Sequence, residues 1–196
     1  MSAPAKTPAQ APARRPRADA VRNREALIDA AKAAFSQSGP DVSLEEIARR
    51  ADVGIGTLYR HFPTRDAVIE AVYRREVDQL GDAATALLKS HAPLDAMRRW
   101  LALSIDYLDT KKLIAPALGT LTGGGGAALM AHSGSRLVGA VTELLKAAQK
   151  AGAVRADVRA NDLVQGFAGI AYNTAAPGWR ASAERLVDII IAGIRT

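Results

Sequence analysis

The chain has 196 residues, 48% of them hydrophobic and 23% charged, with a net charge of +6 and no cysteine. That is enough apolar side chain for one sizeable core or two small ones, while the lack of cysteine excludes disulfide frameworks, thiolate metal sites and cysteine nucleophiles. His61, His91 and His132 stand far apart, so neither a metal nor a cofactor is expected; with no bilayer-length apolar run and no charged-then-apolar leader, the chain is read as cytoplasmic and unattached to membrane.

The charge is concentrated at one end. Residues 1–24 hold Lys6, Arg14, Arg15, Arg17, Arg22 and Arg24 against Asp19 alone, and the remainder is nearly neutral. Residues 1–18 are rich in alanine and proline, a composition that cannot bury enough apolar surface to order itself. This segment is expected to be a disordered basic arm. It is either a solubilising leader or an arm that adds phosphate or minor-groove contacts.

A first helix is expected from Asp19 to Ser38, with Leu27, Ile28, Ala31, Ala34 and Phe35 as its buried stripe and Gly39-Pro40 as its stop. Ser43 then offers an N-cap, with Glu46 placed to reach back to it in a capping box and Val42 and Ile47 at staple positions. Leu44, Ile47, Ala48 and Ala51 recur at helical spacing. Asp52-Val53-Gly54 ends this helix, Gly54 being expected to supply a positive φ.

Gly56 to Phe62 makes a second helix of barely two turns before Pro63. Leu58 and Phe62 share a face, whereas Thr57, Tyr59, Arg60 and His61 point elsewhere. So short a helix presenting a hydroxyl, a phenol, a guanidinium and an imidazole fits helix-turn-helix grammar, in which the second helix enters a DNA major groove. Thr64 caps a long helix after it.

Beyond Leu80 the text is alanine- and leucine-rich with helical periods and no strand alternation. A helix is expected from Pro93 to about Thr110, followed by a short or kinked piece at Lys112–Leu118 that carries Pro116. Gly123–Gly126 lacks the Lys-Ser/Thr and preceding strand of a phosphate-binding loop, and is read as a flexible break. Leu137, Val138, Val141, Leu144, Leu145 and Ala148 form a clean stripe closing at Gly152. Two further helices are drawn, about Asn161 to Ala176 and Ala181 to Arg195.

Those last two helices are either core or subunit interface. The interface reading is adopted, because two terminal helices from each of two chains make a four-helix bundle. Its candidate residues are Leu163, Gly166, Phe167, Ile170, Leu186, Ile190 and Ile194. Trp100, Tyr107, Met130, Phe167, Tyr172, Asn173 and Trp179 are candidates to line a ligand pocket, although aromatics at helical spacing also serve as plain core. Few acids and bases accompany them, which points to a small, mostly apolar and uncharged ligand.

From Val53-Gly54-Ile55-Gly56-Thr57-Leu58-Tyr59-Arg60-His61-Phe62 and the Phe-Pro-x-Arg exit, the sequence resembles the TetR family of bacterial transcriptional regulators over roughly Val21 to Val72. The resemblance implies an all-α protein of about nine helices. Residues 19–66 would form a three-helix DNA-binding domain, and 67–196 a helical ligand-binding and dimerisation domain. It also implies a homodimer on a palindromic double-stranded DNA operator, with an effector of unknown identity that changes operator affinity.

Within that pattern Thr57 falls near the base edges, and Tyr59, His61 and Arg65 beside phosphates, all of them able to donate hydrogen bonds to phosphate oxygen. Ser43, Ile55, Gly56 and Arg60 complete the expected DNA-binding set, Arg60 being placed to read a base and Ile55 to meet a thymine methyl. Glu45 stands where the best-known member reads guanine with an arginine, so specificity is expected to lean on Arg60 or on DNA shape.

Catalysis is not expected. Glu45 and Glu46 are neighbours that point apart on a helix, and His132-Ser133 beside Ser135 is read as an accident of a loop. A helical protein-interaction adaptor is the alternative, but it leaves the exposed Thr57, Tyr59, Arg60 and His61 and the basic arm without a purpose.

Overall fold

The computed structural model describes residues 16–119, 125–171, 174 and 176–196. They fold into α1 (Pro16–Ser38), α2 (Leu44–Arg50), α3 (Ile55–His61), α4 (Arg65–Ser90), α5 (Pro93–Gly119), α6 (Gly125–Lys150), α7 (Ala160–Ala171) and α8 (Trp179–Ile194). The all-α expectation holds, with eight helices among the described residues where about nine were expected. None of these helices is long and apolar enough to cross a membrane.

Helix α1 begins at Pro16, three residues before its expected start. Proline suits a first turn, where its fixed φ is helical and its missing N–H has no intrahelical acceptor. Residues 16–18 are therefore helical, and the arm reading applies only to 1–15, which lie outside the described residues. Leu27, Ile28, Ala31, Ala34 and Phe35 are all buried as expected. Gly39, at φ +80°, turns the chain out of the helix while its amide donates to Phe35 O at 2.9 Å.

The junction of α2 and α3 departs from expectation in two places. Ser43 Oγ accepts from the Glu46 amide at 3.1 Å, but the Glu46 carboxylate does not return to Ser43. It accepts instead from Arg49 at 2.8 Å and Arg50 at 2.7 Å. Hydrogen bonding to Arg49 first, then to Arg50, draws its carboxyl down to about 2. Two guanidinium groups within reach outcompete one backbone amide.

The second departure is the left-handed residue, which is Asp52 at φ 54° and not Gly54. The Asp52 amide donates to Arg49 O and the Val53 amide to Ala48 O, the paired bonds that close a helix through a left-handed residue directly after its C-cap. A short polar side chain tolerates that conformation better than a bulky one. Gly54 is extended, at φ −68°, and forms the N-cap of α3.

Leu58 and Phe62 bury fully against α1 and α2, and the Arg24 guanidinium covers the Phe62 ring at 5.3 Å. Thr64 Oγ1 then accepts from the Ala67 amide at 3.1 Å and starts α4. The 26 residues of α4 run unbroken for about 39 Å at the ordinary rise per residue. The expected boundary between 66 and 67 thus falls inside the first turn of one continuous helix.

One face of α4 packs Val68, Ile69 and Val72 toward α1, and Tyr73, Val77, Leu80 and Ala84 continue the stripe along α5 and α6. Helix α5 carries through Lys112–Leu118 without ending. Losing the single ladder bond that Pro116 cannot make does not stop a helix already propagated over several turns. Gly125 and Gly126 belong to the first turn of α6, so half of the expected glycine break is helical; the rest lies outside the described residues.

Gly152, at φ +69°, closes α6 as expected. Helix α7 is described as far as Ala171; Thr174 and Ala176 of its drawn end are not helical, and residues 172, 173 and 175 lie outside the described residues. Helix α8 begins at Trp179 behind Gly178 at φ 71°. Val154 bridges Arg195, and Thr196 Oγ1 donates to Gly152 O at 2.8 Å, fastening the end of α8 to the turn after α6.

Buried polar groups are paired within this bundle. Trp100 Nε1 donates to Leu80 O at 2.7 Å, Ser104 Oγ to Trp100 O at 2.9 Å, and the Tyr73 and Tyr107 hydroxyls meet at 2.8 Å. Among the described residues no buried side-chain nitrogen or oxygen lacks a partner.

The turn geometry is checked by two substitutions. Gly54→Ser places an N-cap hydroxyl where no positive φ is needed and changes stability by less than about 0.5 kcal/mol. Asp52→Val forces a β-branched residue into the left-handed region and costs roughly 1–2 kcal/mol, several degrees of Tm in thermal unfolding. The reverse ranking of the two would show that Gly54 carries the turn.

Candidate nucleic-acid interface and ligand cavity

The outward face of α3 gathers most of the expected DNA-binding residues. Tyr59 is 47% exposed and Ile55 36%. Arg60 is exposed and lies back along its own helix, donating to Thr57 Oγ1 at 3.0 Å and to Gly56 O at 3.2 Å. The guanidinium and the hydroxyl therefore form one unit on the helix surface. Gly56 faces open space, so a backbone or phosphate can approach it closely.

His61 is half-buried at the end of α3. Arg65, also half-buried, donates to Pro40 O at 2.6 Å, tying the start of α4 to the loop between α1 and α2. One of its five N–H groups is spent there, and the fork retains others. Ser43 sits exposed at the head of α2 with its oxygen engaged as the cap. Arg49 of α2, paired with Glu46, adds a further guanidinium to the helix-turn-helix, with its side chain 73% exposed.

A second feature lies farther along the chain. Helices α4, α5, α6 and α7 border a partly open cavity of about 320 Å³ lined by Leu80, Trp100, Leu101, Ser104, Tyr107, Leu108, Lys111, Leu137, Val141, Leu163, Val164, Phe167 and Ala168. Of the expected pocket residues, Trp100, Tyr107 and Phe167 line it. Met130 lies outside the lining with its sulfur 3.9 Å from the Tyr73 hydroxyl, and Trp179 faces a groove between α7 and α8. Tyr172 and Asn173 fall outside the described residues.

Ser104 and Lys111 were not foreseen in the cavity. Both follow Trp100 and Tyr107 at three- and four-residue steps along α5, so extending that stripe by one turn in the sequence would have found them. Burial first, then the adjacent Tyr73, pushes the Tyr107 hydroxyl far up from its ordinary range, and it stays a neutral phenol.

The terminal helices divide their residues between two faces. Leu163 and Phe167 turn to the cavity, whereas Ile170 and Ile194 are buried within the chain. Gly166, Leu186 and Ile190 border a shallow groove with Gly169, Trp179 and Ser182, and Ile189 beside them is 64% exposed. Arg180 of α8 pairs with both Asp106 and Asp109 of α5, and Arg98 with Asp188 at 2.6 Å, so α8 is lashed to the helix that walls the cavity.

His132 and Ser133, expected in a loop, lie within α6. His132 Nε2 is 3.0 Å from Asp78 Oδ1, but Ser133 Oγ is buried and donates to Leu129 O at 2.8 Å. The hydroxyl proton is committed to the backbone and the histidine is turned to α4, so the three do not compose a nucleophile and base.

Comparison with known proteins agrees with this architecture in both halves. Residues 27–72 match the family model of bacterial regulatory proteins, tetR family, and residues 92–196 that of the transcriptional regulator SbtR-like C-terminal domain. The solved TetR transcriptional regulator SCO0520 from Streptomyces coelicolor is 42% identical, covering 88% of this chain and 98% of that one with a TM-score of 0.74. A TetR transcription regulatory protein from Mycobacterium vanbaalenii is 32% identical, covering 92% and 99% with a TM-score of 0.75.

Among curated proteins, the transcriptional repressor Rv3405c of Mycobacterium tuberculosis is 40% identical over 77 residues. That match spans 39% of the length of each protein. With one family model matching more than half of its length, another matching its helix-turn-helix, and the same fold in solved members at up to 42% identity, the chain belongs to the TetR family of bacterial transcriptional regulators.

Proposed function

We propose that the protein is a ligand-responsive repressor, a homodimer that grips a palindromic DNA operator with α3 and changes its affinity when a small effector fills the α4–α7 cavity. The observation that carries this reading is the course of α4. Its first residue, Arg65, follows the recognition helix directly, and fifteen residues later its Leu80 lines the cavity. One continuous helix thus touches both sites, and an element whose position both sites bias is a physical means of coupling them.

On the DNA, Thr57 and Arg60 address base edges as a pair, Ile55 meets a thymine methyl, and Gly56 admits the backbone. Tyr59, His61, Arg65 and the Ser43 hydroxyl hold phosphates. This division follows from chemistry: a guanidinium can read guanine bidentately, whereas a phenol and an imidazole beside the groove donate to any phosphate. Two copies of the chain meet through the exposed faces of α7 and α8, where glycines at 166 and 169 permit close approach and Leu186, Ile189 and Ile190 supply apolar area. A two-fold dimer in turn requires a two-fold operator.

Two measurements test the reading. With an operator selected from random duplex DNA, Arg60→Ala alters the ranking of single-base operator variants by about 1–3 kcal/mol at the contacted pair, while Tyr59→Phe lowers every affinity by a common factor, both read by fluorescence anisotropy. A uniform loss in Arg60→Ala would remove it from base reading. In sedimentation, Ile189→Asp yields a folded monomer with greatly weakened operator binding; a variant that still sediments as wild type would place the dimer face elsewhere.

A further inference from the structure

We propose that the cavity takes an apolar molecule carrying one anionic head, a carboxylate of the fatty-acid type, with the head paired to Lys111. This rests on the reading of the cavity as the effector site and amends the expectation of an uncharged ligand.

The argument is an inventory of the lining's polar hydrogens. Trp100 Nε1–H is spent on Leu80 O, and Ser104 O–H on Trp100 O. The Tyr107 hydroxyl is engaged with that of Tyr73, which also reaches the Met130 sulfur. The remaining described lining residues other than Lys111 are aliphatic or aromatic. Lys111 is the one charged member of that described lining. It is half-buried, and no hydrogen bond or ion pair of the described residues involves its ammonium.

The acids nearest to it on α5 are engaged elsewhere. Asp106 and Asp109 both pair with Arg180 of α8, so the α5 carboxylates that could neutralise Lys111 are committed. The described lining contributes no acid, and Tyr107 stays protonated. A ligand entering this space thus finds a long apolar wall and, one helical turn beyond Tyr107, three unspent N–H donors on a positive charge. A neutral hydroxyl would exchange water for a weak acceptor contact. A carboxylate gains a charge-assisted bond that neutralises the site. At about 320 Å³ the cavity sits at the small end of ligand sites, matched to a medium chain.

The test uses the full-length protein with decanoate, decanol and decylamine as probes, titrated calorimetrically at pH 7.5. Decanoate binds at least about tenfold more tightly than decanol, and decylamine most weakly. Lys111→Met brings decanoate to the level of decanol, and Lys111→Glu inverts the order so that decylamine leads; cooperative thermal unfolding confirms that both variants fold. Equal binding of decanoate and decanol to the wild type, or equal changes for both in Lys111→Met, overturns the head-group assignment and leaves the cavity reading standing. Failure of all three probes to bind overturns both.

Discussion

The structure depends on α4 remaining one uninterrupted rod. A helix of that length crossing from the DNA-binding head into the body must bury different partners at each end. It does so with one continuous stripe: Val68, Ile69 and Val72 in the head, and Val77, Leu80 and Ala84 in the body. Tyr73 sits at the change-over, fully buried, with its hydroxyl bonded to Tyr107 of the cavity wall. A buried hydrogen bond of this kind contributes only about 1 kcal/mol net. Its greater effect is positional, since a misplaced hydroxyl there would be left without a partner and the two helices are held to one register.

The head is built so that its recognition helix contributes little to its own stability. Seven residues cannot sustain a helix in water, and α3 persists because Leu58 and Phe62 are held by α1 and α2. Ile55, Gly56, Tyr59 and Arg60 stay exposed, which is why a phenol and a guanidinium can occupy this face. The placement of Arg24 over Phe62 covers the end of this short helix, and the tie from Arg65 to Pro40 fixes the start of α4 that follows it.

Much of this was legible in the residues. The α1 stripe, the Ser43 and Thr64 caps, the buried Leu58 and Phe62 and the closure at Gly152 all follow from local rules. What escaped were choices between two locally acceptable outcomes. Both Asp52 and Gly54 tolerate a turn, and only the hydrogen bonds of Asp52 and Val53 back to α2 decide which residue is left-handed. Glu46 had a cap to close but found two arginines nearer. Pro116 marks Lys112–Leu118 as a separate short or kinked piece, yet α5 runs through it. The cavity was half legible: its aromatics stand out in the text, whereas Ser104 and Lys111 join them only once α5 is known to present a single face to α6 and α7.

The fastening of α8 has a mechanical consequence. At its head, Arg180 is held between Asp106 and Asp109; at its tail, Val154 pairs with Arg195 and Thr196 hooks onto Gly152. A rod tied at both ends resists sliding lengthwise in its bed. The freedoms left to it are a limited roll about its own axis and a slight bow at mid-span, where Val187 and Ile191 rest on the body through aliphatic contacts and one exposed ion pair, Arg98 with Asp188, is the only polar tie among the described residues. Any rearrangement carried along this helix would therefore arrive as a twist more than as a stroke.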